Sequence, residues 1–386
     1  MIRMICAFTA EIDDPDAAVS EILGQLDLES ALLGSSVGIV SCHSEFIESG
    51  VVARLCRDLP FDVVGATTLG NSACGKYGVE CLSISVITAD DVSFGAVYSA
   101  PLTASDTRGQ LSDAYENALS GLRGEPRLAF AFAPFMSDIS GNTIFSQLDE
   151  ISGGLPLFGA LACDHTLRYD GIRTFANGEF RPDALGLVVA SGNIKPRFFS
   201  NCVSESRISK QSGIISDSDG CILKRVNGIP FMKYLTAQGF VSGCATRMFG
   251  AIPFLADYND GTKPVARTIV GLTEEGHAIF GGAMPAGTAL AIGSIDGGEA
   301  VRTAEKTVKD ALETDEVNGM ISFSGFTRCL MLGSDPGLEM RSAAELVGSK
   351  APCHIAYAGG EICPVYGREG RTFNRFHNFS YVACVF

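Results

Sequence analysis

The sequence has 386 residues, 46% of them hydrophobic and 19% charged, with a formal net charge of −15. That length predicts two or three domains, and the composition excludes a disordered chain. The acidic balance disfavours nucleic acid, whose phosphates need clustered Lys and Arg, and equally disfavours an anionic membrane surface.

The chain opens on a short apolar run, Ile2–Phe8, which acidic residues soon follow. This is no signal peptide, and no later run reaches the ~18 apolar residues a membrane span needs. Asp13-Asp14-Pro15-Asp16 reads as a helix start, with an Asp cap, a proline in the first turn and negative charge at the positive end of the helix dipole. Ala17, Ala18, Ile22 and Leu26 give that helix its apolar stripe. The strand Ser36–Ser41 then runs into Cys42-His43-Ser44-Glu45. Neighbours on an extended segment point opposite ways, so Cys42 and His43 do not form a catalytic pair; Ser44 is kept as a pocket-lining residue.

Gly70–Tyr77 carries the pattern GxxxxGK after a strand. A phosphate loop needs Ser or Thr next and then a helix. Tyr77 and the β-rich Val79–Thr88 stand there instead, so the stretch predicts a glycine-rich hairpin. Cys163-Asp164-His165 has too few partners for a metal site. Asp217-Ser218-Asp219-Gly220 reads as a hairpin tip without a calcium-loop pattern. A soft boundary falls near Pro230, beyond which PVARTIVGL, HAIFGGAM and TALAIGSI predict three strands. There are 13 cysteines, mostly inside apolar strand patterns, and no CxxC. They read as small buried hydrophobes in a reducing cytoplasm.

One grammar recurs three times: strand, helix, proline-led strand ending in small residues, then another strand. The prolines are Pro60, Pro156 and Pro352; the small pairs are Gly65-Ala66, Gly159-Ala160 and Gly359-Gly360. A strand and helix precede each copy: Ile2–Phe8 with Pro15–Leu26, Ser93–Tyr98 with Thr107–Leu122, and Ala289–Ile295 with Glu299–Leu312. The expected fold is therefore α/β, with repeated β-α-β-α-β-β units forming mixed sheets in two closely packed domains.

In the third copy, Arg328 follows one strand end and Glu361 another, and ligands of α/β sheets sit at the carboxyl ends of strands. Arg328 is suited to hold a carboxylate in bidentate fashion, and Glu361 to accept an amine. Thr327 and Gly360 line the same notch, and Glu339 supports it or partners Arg328. The alternative is an internal ion pair from Arg328 to Glu339 or Glu361 that closes the sheet end.

Several stretches, in order and spacing, resemble the FIST-domain family: FDVVGATTLGN, LPLFGALACDH, RTFANGEF and ILKRVNGIPFMKYL, then ARTIVGLTEEG, FSGFTRCLMLG, YAGGEICPV and FHNFSYVACVF. The resemblance implies a FIST N-like domain over 1–228 and a FIST C-like domain over 229–386. It also implies a role in sensing and signal transduction with small ligands such as amino acids, and any signal is expected to pass to a separate protein. Some members are similar to nitric-oxide-sensing haem proteins, so haem is the alternative, with His277, His354 or His377 as axial ligand. The family often has a cysteine before the arginine of the third copy; here Thr327 stands there. An enzyme is the third reading, without a nucleophile elbow, metal motif or complete phosphate loop to support it.

Overall fold

The computed structural model describes residues 1–166, 169–240 and 250–386. A strand–helix unit is built three times along them. The first unit comprises β1 (Ile2–Thr9), β2 (Ser35–Cys42), β3 (Asp62–Thr67), the hairpin β4 (Asn71–Ala73) with β5 (Lys76–Gly78), and β6 (Leu82–Ala89). The second comprises β7 (Val92–Tyr98), β8 (Pro126–Ala133), β9 (Leu157–Leu161), the hairpin β10 (Thr174–Ala176) with β11 (Glu179–Arg181), and β12 (Gly186–Gly192).

The third unit begins with β13 (Arg197–Asn201) and is then interrupted by an inserted sheet. The insert holds β14 (Ile208–Asp219), β15 (Ile222–Val226), β16 (Ile229–Pro230), β17 (Phe254–Asp257), β18 (Val265–Arg267), β19 (Ile269–Leu272), β20 (Ala278–Phe280) and β21 (Ala289–Gly293). The unit resumes with β22 (Met320–Gly325), β23 (Cys353–Ala358), the hairpin β24 (Gly360–Tyr366) with β25 (Thr372–His377), and β26 (Tyr381–Val385).

Strand order is the same in every copy: β1-β6-β2-β3, β7-β12-β8-β9 and β13-β26-β22-β23. The third and fourth strands of each set run parallel, joined by a helical crossover, and the other neighbours are antiparallel. The hairpins do not stay at home. β4–β5 of the first unit pairs with β23 of the third, β10–β11 of the second pairs with β3 of the first, and β24–β25 of the third pairs with β9 of the second. Each sheet thus reaches six strands by borrowing a hairpin, and the exchange runs in a ring. The borrowed hairpin also covers what would otherwise be an open sheet edge.

The inner faces of the three sheets meet in one core. Phe132 and Phe158 of the second unit both pack on Phe323 of the third, at ring distances of 6.0 and 5.5 Å. Val37, Ile39 and Val64 complete it from the first unit. Each fully buried side chain of this kind stabilises the fold by about 1.5–3 kcal/mol. The outer faces carry helices Pro15–Leu26 and Val51–Asp58, Thr107–Leu119 and Gly141–Ile151, and Gly297–Leu312 and Leu338–Val347. Sheets covered on both faces explain why the central strands are almost continuously apolar.

Several expectations change. Ala289–Ile295 is not the opening strand of the third unit; that place belongs to β13, and the stretch contributes β21 to the insert. PVARTIVGL is two strands, β18 and β19, at opposite edges of the insert sheet. Pro15–Leu26 is capped by Asp14, which accepts from Asp16 N and Ala17 N, but Ala17 is exposed and Val19 takes its place in the buried stripe. The GxxxxGK stretch is the β4–β5 hairpin, turning on Cys74 and Gly75 with φ of 53° and 72°. The expected boundary between residues 228 and 229 falls at the start of β16, which pairs with β15 in one sheet. Among the described residues no helix is long and apolar enough to cross a membrane.

Candidate functional site

The carboxyl ends of β3, β9 and β23 are stitched to one another. Cys163 N donates to Thr67 O at 3.0 Å, Gly359 N to Leu161 O at 2.9 Å, and Leu69 N to Tyr357 O at 3.2 Å. The chain then enters the borrowed hairpin at equivalent points: Asn71 lies opposite Ala356, Thr174 opposite Ala66, and Glu361 opposite Ala160. All three are buried, and the first two are satisfied internally. Asn71 donates to Thr68 Oγ1 and Cys81 O and accepts from Ser83 Oγ, while Thr174 Oγ1 donates to Ala184 O.

Glu361 differs. It is 0% exposed, and its Oε2 accepts from Ser380 N at 3.2 Å. Its Oε1 has no partner among the described residues. A Cβ on Gly325 would stand 2.8 Å from that oxygen, so glycine there keeps the approach open. Burial pushes the Glu361 carboxyl up to about 8, although Arg328 and Arg267 pull the other way. At neutral pH the group is therefore mostly a carboxylic acid, not an anion.

Three further buried polar atoms without partners among the described residues lie around it. His377 is directly opposite Glu361 across β24–β25, so the two side chains share a face. Its Nδ1 bonds Ser380 Oγ at 3.0 Å, but its Nε2 is unpartnered. Burial, with Arg267 and Arg375 nearby, pushes this imidazole down to about 3, so it is neutral. Asn378 spends its Nδ2 on Gly281 O at 3.5 Å and leaves Oδ1 free. Arg267, 2% exposed, donates from Nη2 to Tyr258 Oη at 2.7 Å and from Nη1 to Phe376 O, but its Nε has no acceptor. Buried polar groups normally find partners, and each one left open needs an explanation.

Arg328 sits elsewhere, in the outer layer. Its Nε lies 2.9 Å and its Nη2 2.5 Å from Glu339 Oε1. Nη1 reaches Cys202 O and Phe379 O, and Nη2 also reaches Ala300 O and Thr303 Oγ1. All five N–H donors thus have acceptors in the protein, and none is left for a ligand. Ser324 Oγ donates to the other oxygen of Glu339 at 2.7 Å. The sheet registers explain the placement. Phe323 faces Ala356 as Ser41 faces Ala66, and five residues on these lead to Arg328 and Phe46. Both are 0% exposed, so the guanidinium occupies a slot that a phenyl ring fills in the first unit. Of the two arrangements open for Arg328, the structure has the ion pair with Glu339.

Thr327 touches the cluster's edge, its Oγ1 donating to Asn378 O at 3.3 Å. Gly360 is a packing residue; a Cβ there would come within 2.5 Å of the Phe376 ring. Ser44 lies apart, against Gly171 and beside the stacked rings of His43 and His165, 4.3 Å between centroids. Asp164 there accepts from Thr166 N and Gly171 N, which makes a turn. No group of three metal-ligating side chains occurs among the described residues. Asn378 escaped the sequence reading, and His377 entered it as a haem-ligand candidate, not as a partner of Glu361. The signal was present as a polar pair inside the apolar FHNF stretch.

The FIST N domain matches residues 36–229 and the FIST C domain residues 232–364. The chain belongs to the FIST family. FIST domains are regarded as sensory, small-ligand-binding domains of signalling proteins. In this FIST chain the two matches meet inside the inserted sheet, next to β16. A solved structure described as "Cyanuric acid hydrolase: evolutionary innovation by structural concatenation" is similar over 100% of this chain and 99% of its own, at 9% identity and a TM-score of 0.37. Comparison with curated proteins gives no match.

Haem, implied by some FIST relatives, needs an axial histidine; two of the three candidates, His354 and His377, are engaged or enclosed, and the third, His277, is half-buried beside β20. His354 has both ring nitrogens engaged, by Ser85 and Ser41 at 2.8 Å each. His43 is covered by His165, and His377 is walled in by the polar cluster. Two surface clefts, of about 610 and 430 Å³, have no histidine in their walls.

Proposed function

We propose that this FIST chain is a non-catalytic sensor that binds a small zwitterion, an amino acid, at the Glu361 cluster. The observation that carries this is the set of four buried groups without partners among the described residues: Glu361 Oε1, Asn378 Oδ1, His377 Nε2 and Arg267 Nε. The two oxygens suit an ammonium group, and the Arg267 Nε–H suits a carboxylate. The cluster lies at the strand ends of the third unit, where α/β sheets take their ligands. The equivalent points of the other two units are closed by internal hydrogen bonds, which makes the third the exception. Twelve free thiols among the described residues favour a reducing cytoplasm, and a separate signalling protein is the expected recipient.

The test is a thermal-shift panel of the twenty amino acids, with hydroxy acids and simple amines as controls. At least one amino acid raises the melting temperature in a saturable way, and Glu361→Gln weakens that response about tenfold or more, the scale of a lost charge-assisted hydrogen bond. A flat panel, or an identical response in Glu361→Gln, overturns the assignment.

A further inference from the structure

A second feature stands apart from that reading and does not depend on it. In a chain of net charge −15, three arginines fall within the short stretch Arg368–Arg375. Arg371, Phe373, Arg375 and His377 alternate along β25 and its approach, so they share one face. The arginines and aromatics form a ladder. The Arg371 guanidinium lies 4.9 Å from the Phe373 ring centroid, and Arg375 lies 5.1 Å from the same ring. Arg375 is also 4.8 Å from the Tyr258 ring, which Arg267 approaches at 5.9 Å from the buried end. Arg368 packs beside Gly261, whose Cβ would fall 2.7 Å from the Arg368 side chain.

Cation–π contact accounts for part of this arrangement, at about 0.5–1 kcal/mol for an exposed pair. It does not account for the charge. Arg371 and Arg375 share one ring, so their guanidinium carbons are at most about 10 Å apart and repel by about 1.7 kcal/mol or more at a surface dielectric near 20. Among the described residues a single carboxylate, Asp260, pairs with this group, on Arg375 Nη2. Asp260 is itself held by Thr262 N and Oγ1. The Nε of Arg375 is buried without an acceptor, and no described carboxylate pairs with Arg368 or Arg371. Planar forks without a described carboxylate partner, beside aromatic faces, are the geometry that recognises a carboxylate or a phosphate.

We propose that Arg368, Arg371 and Arg375 form a binding site for a small oxyanion, a carboxylate or a phosphate, which bridges the Arg375 Nε–H and the Arg371 fork against the Phe373 ring. Two probe arms separate the sources of that chemistry: citrate and succinate as carboxylates, inorganic phosphate and glucose 6-phosphate as phosphates. Each is titrated to about 10 mM in a thermal-shift assay at constant ionic strength set with sodium chloride, low enough that general salting-out effects are small. The expected result is a saturable rise with one arm, which names the class. In the double variant Arg368→Gln/Arg371→Gln, the apparent dissociation constant increases about tenfold or more, and Arg371→Lys gives a partial loss because charge remains and the fork does not. Both positions are exposed, and an unchanged urea midpoint without probe confirms that the variants fold. The proposal is overturned by shifts that never saturate, or by equal shifts in wild type and double variant.

Discussion

Replacing Glu361 by glutamine keeps the shape of the side chain and removes its titration. The folded-state pKa is raised to about 8, against an ordinary value of 4.5, and burial is the main cause. The fold therefore favours the protonated carboxyl. This group's contribution to stability is fully present below about pH 4.5 and is lost as pH rises through about 8. A shift of this size costs the wild type about 3.5 kcal/mol between about pH 5 and pH 8, and ~5 kcal/mol over the whole titration, from about 1.36 kcal/mol per unit of pKa. The group is 0% exposed, so solvent screening takes little from that figure. Urea denaturation of both proteins at several pH values reads it directly. Glu361→Gln gains on the wild type steadily as pH rises, by about 3.5 kcal/mol between about pH 5 and pH 8. Two stability curves that stay parallel across that range refute the reasoning, because they mean that the carboxyl titrates alike in the folded and unfolded chain.

Other perturbations test the frame around the site. Arg328→Met leaves Glu339 buried without its partner and costs about 3–5 kcal/mol by urea denaturation, while Arg328→Met with Glu339→Leu recovers much of the loss. His354, fully buried between Ser85 and Ser41, is pushed down to about 4, so its contribution is present above about pH 6.5 and fades as pH falls toward 4. His354→Asn therefore flattens the acid limb of the stability curve. Gly65→Ala places a Cβ 2.1 Å from Val40 O and 2.7 Å from the Phe175 ring of the borrowed hairpin, and lowers stability by about 1–3 kcal/mol or more. An unchanged midpoint in Gly65→Ala contradicts the hairpin exchange.

The threefold repeat was legible because each copy repeats its local signals: proline before the second parallel strand, small residues at its end, and an apolar strand to follow. The hairpin exchange was not, since the Cys74-Gly75 turn announces a hairpin but says nothing of which sheet receives it. The third unit's opening strand was displaced in the reading by the insert, which separates β13 from helix Gly297–Leu312 by almost a hundred residues. Arg328 was legible as a strand-end cation, but not its direction. The chain turns helical at Phe326, and that turn rotates the side chain beneath the outer helices. Glu361 was legible from the glycines before it. Its protonation was not, because desolvation is a property of the packed chain. His377 and Asn378 reach the cluster only through the β24–β25 pairing and the insert beyond it.

The central claim is that a zwitterion enters the Glu361 cluster, and its sharpest test is isothermal calorimetry of an amino acid identified by thermal shift, in buffers of different ionisation enthalpy. An incoming ammonium ionises a carboxyl that was protonated in the empty protein, so at about pH 7 binding releases close to one proton per ligand, and Glu361→Gln abolishes that release. Binding with no proton release, or with the same release in Glu361→Gln, contradicts the account.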